Sequence, residues 1–114
     1  MTDITTLYDR NHQFAVGFDQ PDLSVEPRIS TIILTCIDSR VDPAHFLGLK
    51  LGDAIVIRNP GGRVTDAVER ELAMLFAVAS QMTCDITPEF SLAIIQHTEC
   101  GLEQLASPDA QRAI

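Results

Sequence analysis

Two short motifs contain most of the side chains in this sequence that could do chemistry. One is Cys36-Ile37-Asp38-Ser39-Arg40, and the other is His97-Thr98-Glu99-Cys100-Gly101. Together they supply two thiols and an imidazole, a ligand set that suits zinc. Three protein ligands leave a fourth position for water, which is the arrangement of a catalytic zinc site rather than a structural one.

Both motifs follow short apolar runs, 31–35 and 92–95, that predict strands buried on both faces of a parallel sheet. Ligand sites in such sheets lie beyond the carboxyl ends of the strands. Cys36 and His97 would therefore share one crevice if the two strands are neighbours. Cys100 follows His97 by three residues, and a helical turn would place it on the same side.

Each ligand candidate also has a less specific interpretation when it is taken alone. A single cysteine that ends a buried strand is usually a small core residue, and His-x-x-Cys pairs occur by chance. Their joint occurrence at matched strand ends favours one metal site. The other candidates lack this context: Cys84 is interpreted as structural or incidental, and His12 and His45 as surface residues.

Asp38 and Arg40 occupy alternate positions, so in an extended segment they share a face. An adjacent guanidinium keeps a carboxylate ionised and fixes its orientation. Near zinc, such a carboxylate can accept a hydrogen bond from a metal-bound hydroxide and aim it at an electrophile. The alternative is an ordinary ion pair that closes a turn.

A glycine pair, Gly61-Gly62, permits close approach of the backbone to another group. It could present N–H groups to a substrate oxygen, or it could simply turn the chain. Arg58 and Arg63 flank this pair. Each is either a residue that attracts an anion or a solvated surface charge.

The remaining pattern predicts an α/β fold, with a mainly parallel β-sheet flanked by helices and an N-terminal helical arm. An amphipathic helix over 3–18 and an extended linker over 19–28 precede the core, and the arm is expected to pack elsewhere, for example on a partner subunit. We predict a single domain, 1–114, made of the arm and linker (1–28) and a zinc-binding core (29–114).

The other predicted elements are a helix over 43–49 capped by Asp42, a buried strand over 54–57, a turn over 59–62 and a helix over 66–82 with Asp66 and Glu69 at capping-box spacing. The predicted stripe of the last helix is Val68, Leu72, Leu75, Phe76 and Ala79.

Bulk composition limits the classes of partner. The 114 residues carry a formal net charge of -8, which argues against nucleic acid or an anionic membrane surface as the main partner. Three cysteines do not resemble a disulfide framework. The sequence shows neither a signal peptide nor an apolar run long enough to span a membrane, so a cytoplasmic location is expected.

The motifs together resemble the β-class carbonic anhydrases. The resemblance rests on Cys-x-Asp-Ser-Arg at 36–40, Gly-Asp at 52–53, Arg-Asn-x-Gly-Gly at 58–62 and His-Thr-x-Cys-Gly at 97–101, in that order. It runs from about Leu7 to Leu105. Asn11, Phe14, Phe18 and the Val64-Thr65-Asp66 segment are most similar to the small prokaryotic branch of the class.

The resemblance implies zinc held by Cys36, His97 and Cys100, with Asp38 and Arg40 as the catalytic dyad. It implies reversible hydration of carbon dioxide to bicarbonate by a zinc-bound hydroxide that Asp38 orients, with Gly61 and Gly62 near the substrate. In some members the aspartate matching Asp38 takes the fourth zinc position and closes the site. Members are homodimers or higher oligomers, with the N-terminal helix packed across the partner.

Two departures from the family pattern stand out. Pro60 occupies a position where alanine is common. Family members usually continue with further helices and a strand after the Cys-Gly motif, so the usual C-terminal portion is expected to be lacking.

The alternatives to carbon dioxide hydration are hydrolysis of carbonyl sulfide or carbon disulfide, a non-catalytic zinc or anion-binding module, and a redox protein that uses Cys36 and Cys100. The redox reading lacks a Cys-x-x-Cys motif.

Overall fold

The computed structural model of this chain describes residues 3–81, 90–102 and 108–112. In chain order, the elements are α1 (Thr5–Gly17), β1 (Thr31–Cys36), α2 (Pro43–Phe46), β2 (Ile55–Asn59), α3 (Asp66–Gln81), β3 (Ser91–Ile94) and α4 (Pro108–Arg112). None of the helices in these ranges is long and apolar enough to cross a lipid bilayer.

A parallel sheet in the order β2-β1-β3 organises the described chain and confirms the predicted α/β class. The central strand, β1, is buried as predicted: Ile32, Ile33 and Leu34 are at most 3% exposed. The burial predicted for the other two strands is wrong, since Leu92 in β3 is 43% exposed and Val56 in β2 is 40% exposed. Each of these strands has one neighbour in the described sheet, whereas β1 has two.

The start of α3 differs from the predicted capping box. Thr65, rather than Asp66, is the N-cap, because its Oγ1 accepts a hydrogen bond from the backbone N–H of Val68 at 3.2 Å. Val68 is 2% exposed and anchors the predicted apolar stripe. Phe76 is the exception, with 46% exposure. It lies at the edge of the stripe, which follows residues 68, 72, 75 and 79.

The short helix α2 forms where predicted but ends three residues earlier, at Phe46 rather than at residue 49. Asp42 is the N-cap as predicted, since its side chain accepts a hydrogen bond from the N–H of Ala44 at 2.9 Å, and Pro43 occupies the first turn. Gly48 then adopts a φ of 64°, which ends the helical path of the backbone.

The arm consists of α1 and the linker that follows it. None of the residues of α1 is buried, and the rings of Phe14 and Phe18 contact each other at a centroid distance of 5.6 Å. The linker joins the core at Arg28, whose N–H donates to Gly52 O at 2.8 Å and whose Nε donates to Asp53 Oδ1 at 3.1 Å. The predicted helix is confirmed, and its apolar side chains face outward.

Candidate metal centre

The candidate ligands converge at the carboxyl ends of neighbouring strands. Cys36 is the last residue of β1 and is 1% exposed, and His97 and Cys100 follow β3, which pairs with β1. The ligand atoms of all three lie within 4.8 Å of one another, and the two Sγ atoms are 3.7 Å apart. Two thiolates bound to one tetrahedral zinc ion at ordinary bond lengths lie about 3.8 Å apart. The spacing therefore fits a metal ion of that kind.

The imidazole of His97 is oriented for coordination. Its Nδ1 lies 2.9 Å from Thr98 O, which favours the tautomer in which Nδ1 donates and Nε2 keeps its lone pair. Nε2 is buried, and it makes no hydrogen bond with any part of the chain that the structure describes. A buried polar atom without a partner is costly, and coordination of a metal would satisfy it.

Cys100 reaches the site through a bend rather than the predicted helical turn. Glu99 has a φ of 53°, a left-handed conformation that is uncommon for residues with a side chain. Its carbonyl accepts a hydrogen bond from Arg40 Nη2 at 2.9 Å. Arg40 thus connects the loop after β1 to the loop that carries Cys100.

Asp38 and Arg40 form a close ion pair within a turn, not along an extended segment. Arg40 Nη2 lies 2.7 Å from Asp38 Oδ2, and the Arg40 N–H donates to Asp38 Oδ1 at 2.9 Å. The hydrogen bond from the Arg40 side chain has the larger effect and that from its backbone N–H the smaller. Together they hold the pKa of the Asp38 carboxyl well below its usual range. The carboxylate also faces the ligand set, since Oδ2 lies 4.0 Å from His97 Nε2.

The electrostatics of the site favour a thiolate at Cys36. Burial by itself raises the pKa of this thiol, but His97 and the backbone N–H groups of Asp38 and Gly61 together lower it to about 7. The nearby Cys36 sulfur in turn raises the pKa of His97, although Nε2 makes no hydrogen bond within the described residues. Coordination requires a thiolate and a neutral imidazole, so metal binding would release protons.

The Asn59–Gly62 segment is a tight turn beside β1. Pro60 precedes Gly61, which has a φ of 86°, and the Gly62 N–H donates to Asn59 O at 3.1 Å, as in a type II turn. A Cβ on Gly62 would lie 2.9 Å from the backbone N of Cys36. Gly62 thus lies against the end of β1, and the predicted substrate role of the glycine pair stays a prediction.

Three further residues shape the site, although they lie outside the sequence motifs or have no clear role in them. Arg58 donates to backbone carbonyls of the Cys36–Asp38 segment, Gln96 Nε2 donates to Gly62 O at 2.7 Å, and buried Thr35 donates to Ile95 O at 2.9 Å. Their shared signal in the sequence is a polar side chain at the end of an otherwise apolar strand. Arg63 is exposed, as are His12 and His45, and Cys84 lies outside the described residues.

An open pocket of about 240 Å³ lies beside the candidate ligands. It is lined by Cys36, Ile37, Asp38, Cys100, Gly101 and Leu102. A larger cavity of about 390 Å³ lies at the linker, away from these side chains. Of these two, the smaller pocket is the one that adjoins both candidate cysteine ligands and Asp38.

Comparison with known proteins identifies the family to which this chain is similar. A family model described as carbonic anhydrase matches residues 31–113. Beta-carbonic anhydrase 1 of Mycobacterium tuberculosis is 38% identical over 104 residues, which cover 91% of this chain and 58% of that protein. A carbon disulfide hydrolase of Saccharolobus solfataricus is 36% identical over 70 residues, covering 61% of this chain and 30% of that protein. The chain therefore spans less than two thirds of the length of these relatives.

A solved structure, a carbonic anhydrase from Streptococcus mutans, superposes with a TM-score of 0.65 at 30% identity. The match covers 100% of this chain and 68% of that one. The matched family model includes both strand-end motifs, and the structure brings their side chains to one site. The chain belongs to the β-carbonic anhydrase family.

Proposed function

We propose that this protein catalyses the reversible hydration of carbon dioxide to bicarbonate with zinc held by Cys36, His97 and Cys100. The observation that carries the proposal is the convergence of these ligand atoms within 4.8 Å, beside the paired Asp38 and Arg40. Two sulfur ligands and one imidazole suit zinc over magnesium or calcium, which prefer oxygen. Bound zinc would supply Lewis-acid activation of a water molecule.

The residues around the ligands divide the remaining work. Asp38 Oδ2, ionised and fixed by Arg40, would accept a hydrogen bond from the attacking water and orient it toward the substrate carbon. Arg40 positions this carboxylate and also fixes the Glu99 carbonyl. The pocket beside Cys36 and Leu102 would hold the small apolar substrate. We also propose Gly61 and Gly62 as the loop that adjoins the bound substrate.

The test is stopped-flow hydration of carbon dioxide from about pH 6.5 to about pH 9, with protein of verified zinc content. We expect zinc-dependent turnover that falls to the uncatalysed rate in Cys36→Ser and His97→Asn. His45→Asn is the matched control, because His45 is exposed on α2. Full zinc occupancy without turnover would contradict the proposed activity and favour a non-catalytic zinc module.

Hydrolysis of carbon disulfide or carbonyl sulfide is the second candidate, and the similarity to carbon disulfide hydrolases favours it. The same ligands and the same carboxylate would serve both reactions. Parallel assays with carbon dioxide and carbon disulfide on one zinc-loaded preparation distinguish them. A rate with carbon disulfide that exceeds the rate with carbon dioxide would reverse the order of the two candidates.

We further propose that the protein forms homodimers or larger homo-oligomers through α1. The support is the outward apolar face of this helix, on which Leu7 is 58% exposed and Phe14 is 53% exposed. A structural neighbour from Sordaria macrospora is described as tetrameric.

The free thiols of Cys36 and Cys100 suit a reducing compartment, and on that basis we propose a cytoplasmic location.

A further inference from the structure

We propose that Arg58 is a positioning residue that holds the backbone of the loop carrying Cys36 and Asp38. The inference rests on the proposed metal centre, which these two residues serve as ligand and carboxylate. It gives Arg58 a role different from both sequence interpretations, which treated it as an attractor of anions or as a solvated charge.

The Arg58 guanidinium contacts several backbone carbonyls of the loop that carries Cys36 and Asp38. Its Nε donates to Cys36 O at 2.9 Å, and its Nη2 donates to Asp38 O at 2.7 Å. Nη2 also lies 3.5 Å from Val41 O. One guanidinium thus fixes three carbonyl groups over a stretch of six residues, in the segment where the chain leaves the sheet.

The sheet register explains why Arg58 can make these contacts. Arg58 lies on β2 directly beside Thr35 of β1, one residue before Cys36. Because β1 ends at Cys36, the Asp38 carbonyl lies beyond the strand, where it accepts a backbone hydrogen bond from the Val41 N–H at 3.1 Å. The Arg58 side chain, from the neighbouring strand, adds a donor to this carbonyl and to that of Cys36. Leaving the buried Cys36 carbonyl without a donor would cost free energy and loosen the ligand.

The nitrogen atoms of Arg58 face groups of this chain, which disfavours a role as an anion site. Two of its three nitrogen atoms already donate to carbonyls, and its Nη1 lies 4.0 Å from Asp42 Oδ2. Its side chain is only 27% exposed. A planar fork with several fixed donors makes these contacts together, whereas a lysine ammonium cannot span the same carbonyls.

The experiment measures zinc affinity by chelator competition and the visible spectrum of the cobalt(II)-substituted protein. Arg58→Lys keeps the charge and the aliphatic stem, and Arg58→Met removes the donors altogether. We expect both variants to bind zinc roughly tenfold to a hundredfold more weakly than wild type, the range found when groups that orient metal ligands are removed. Their cobalt spectra should shift, because the geometry of the Cys36 thiolate changes.

Two control variants accompany these measurements. Asp42→Asn removes the weaker ion pair but keeps a side chain able to cap α2, and Arg70→Met makes the same substitution at an exposed position of α3. Both should retain wild-type affinity and spectrum. Thermal unfolding of every variant identifies a purely structural effect, which lowers Tm but leaves the affinity and spectrum of the folded fraction unchanged.

The outcomes separate this inference from the proposed function. Wild-type affinity and an unchanged spectrum in Arg58→Lys would overturn the role of Arg58 and leave the metal centre intact. A fall in Tm alone would overturn it as well. If the wild-type protein binds neither zinc nor cobalt, the proposed function itself fails, and the inference fails with it. If Arg58→Met does not fold, Arg58→Lys decides.

Discussion

The backbone of Gly62 lies so close to β1 that residue size matters there more than at the other glycines of the described chain. A Cβ at this position would lie 2.9 Å from both the N of Cys36 and the C of Thr35, and φ is 62°. Gly48 has a similar φ, 64°, but a Cβ there would meet nothing within 4 Å. The two positions therefore separate backbone strain from steric overlap.

We predict that Gly62→Ala is markedly more destabilising than Gly48→Ala. A left-handed conformation costs a residue with a side chain roughly 1–2 kcal/mol, which both variants incur. The overlap with β1 adds about 1–3 kcal/mol in Gly62→Ala alone. Urea unfolding of the two variants measures the difference. Equal losses of stability would contradict the close packing of Gly62 against the end of β1.

For individual residues, motif spacing indicated the residue types of the site but not the contacts that fix their positions. The Cys36, His97 and Cys100 set could be proposed because soft ligands recur at strand ends. The left-handed Glu99 and the donors of Arg58 could not, because each depends on where another strand lies in space. Contacts between distant segments leave no local period in a sequence.

Helices and strands were predicted well where the local sequence determines the structure. They were predicted less well where the packing of neighbouring elements determines it. The parallel order around β1 follows from alternating strands and helices, whereas the exposure of Leu92 and Val56 depends on which strands flank them. Thr65 rather than Asp66 caps α3, because the helix begins at Asp66, one residue earlier than the capping-box spacing implied. The prediction of one domain with a boundary at residue 28 stays a prediction.

The stability of the turn before β2 should depend on pH. The Lys50 N–H donates to Asp53 Oδ2 at 2.8 Å, and Arg28 pairs with Oδ1 at 3.1 Å. The hydrogen bond from the Lys50 N–H lowers the pKa of Asp53 below its ordinary value of 3.8, and Arg28 lowers it further by a smaller amount. This carboxylate joins the linker to the start of the second strand.

We predict that Asp53→Asn lowers stability at neutral pH and that its deficit shrinks in acid. A depressed pKa in the folded state gives stability that is complete above the unfolded value of 3.8 and is lost as pH falls through the lower folded value. Urea unfolding of wild type and variant from pH 7 downward measures this. Asp22→Asn, an exposed linker position, is the control. A deficit that stays constant through the acid range would contradict the linkage.

The described chain, taken together, is extended rather than spherical. Its radius of gyration is 17.2 Å, compared with about 13 Å for a compact domain of this length. The difference fits an arm whose helix has no buried residue. A helix that exposes Tyr8, Phe14 and Val16 gains stability when another surface covers it.

We predict that Phe14→Glu shifts the protein toward monomer, because it places a charge in the apolar face of α1. Gln13→Glu adds the same charge at the adjacent position and should leave the oligomer unchanged. Size-exclusion chromatography with light scattering measures the molar mass across a dilution series. A wild-type protein that is monomeric at all concentrations, or an unchanged mass in Phe14→Glu, would contradict assembly through this helix.

The separation of Cys36 and Cys100 by 64 positions along the chain has a consequence for the order of folding. Bringing them together requires closure of a long loop, which is stabilised by the pairing of β1 with β3 and by side-chain contacts such as that of Arg40 with the Glu99 carbonyl. We expect an ion that needs all three candidate ligands to bind after these two strands have paired. Metal should leave the folding rate nearly unchanged and slow unfolding instead, so that its benefit is the lifetime of the native state.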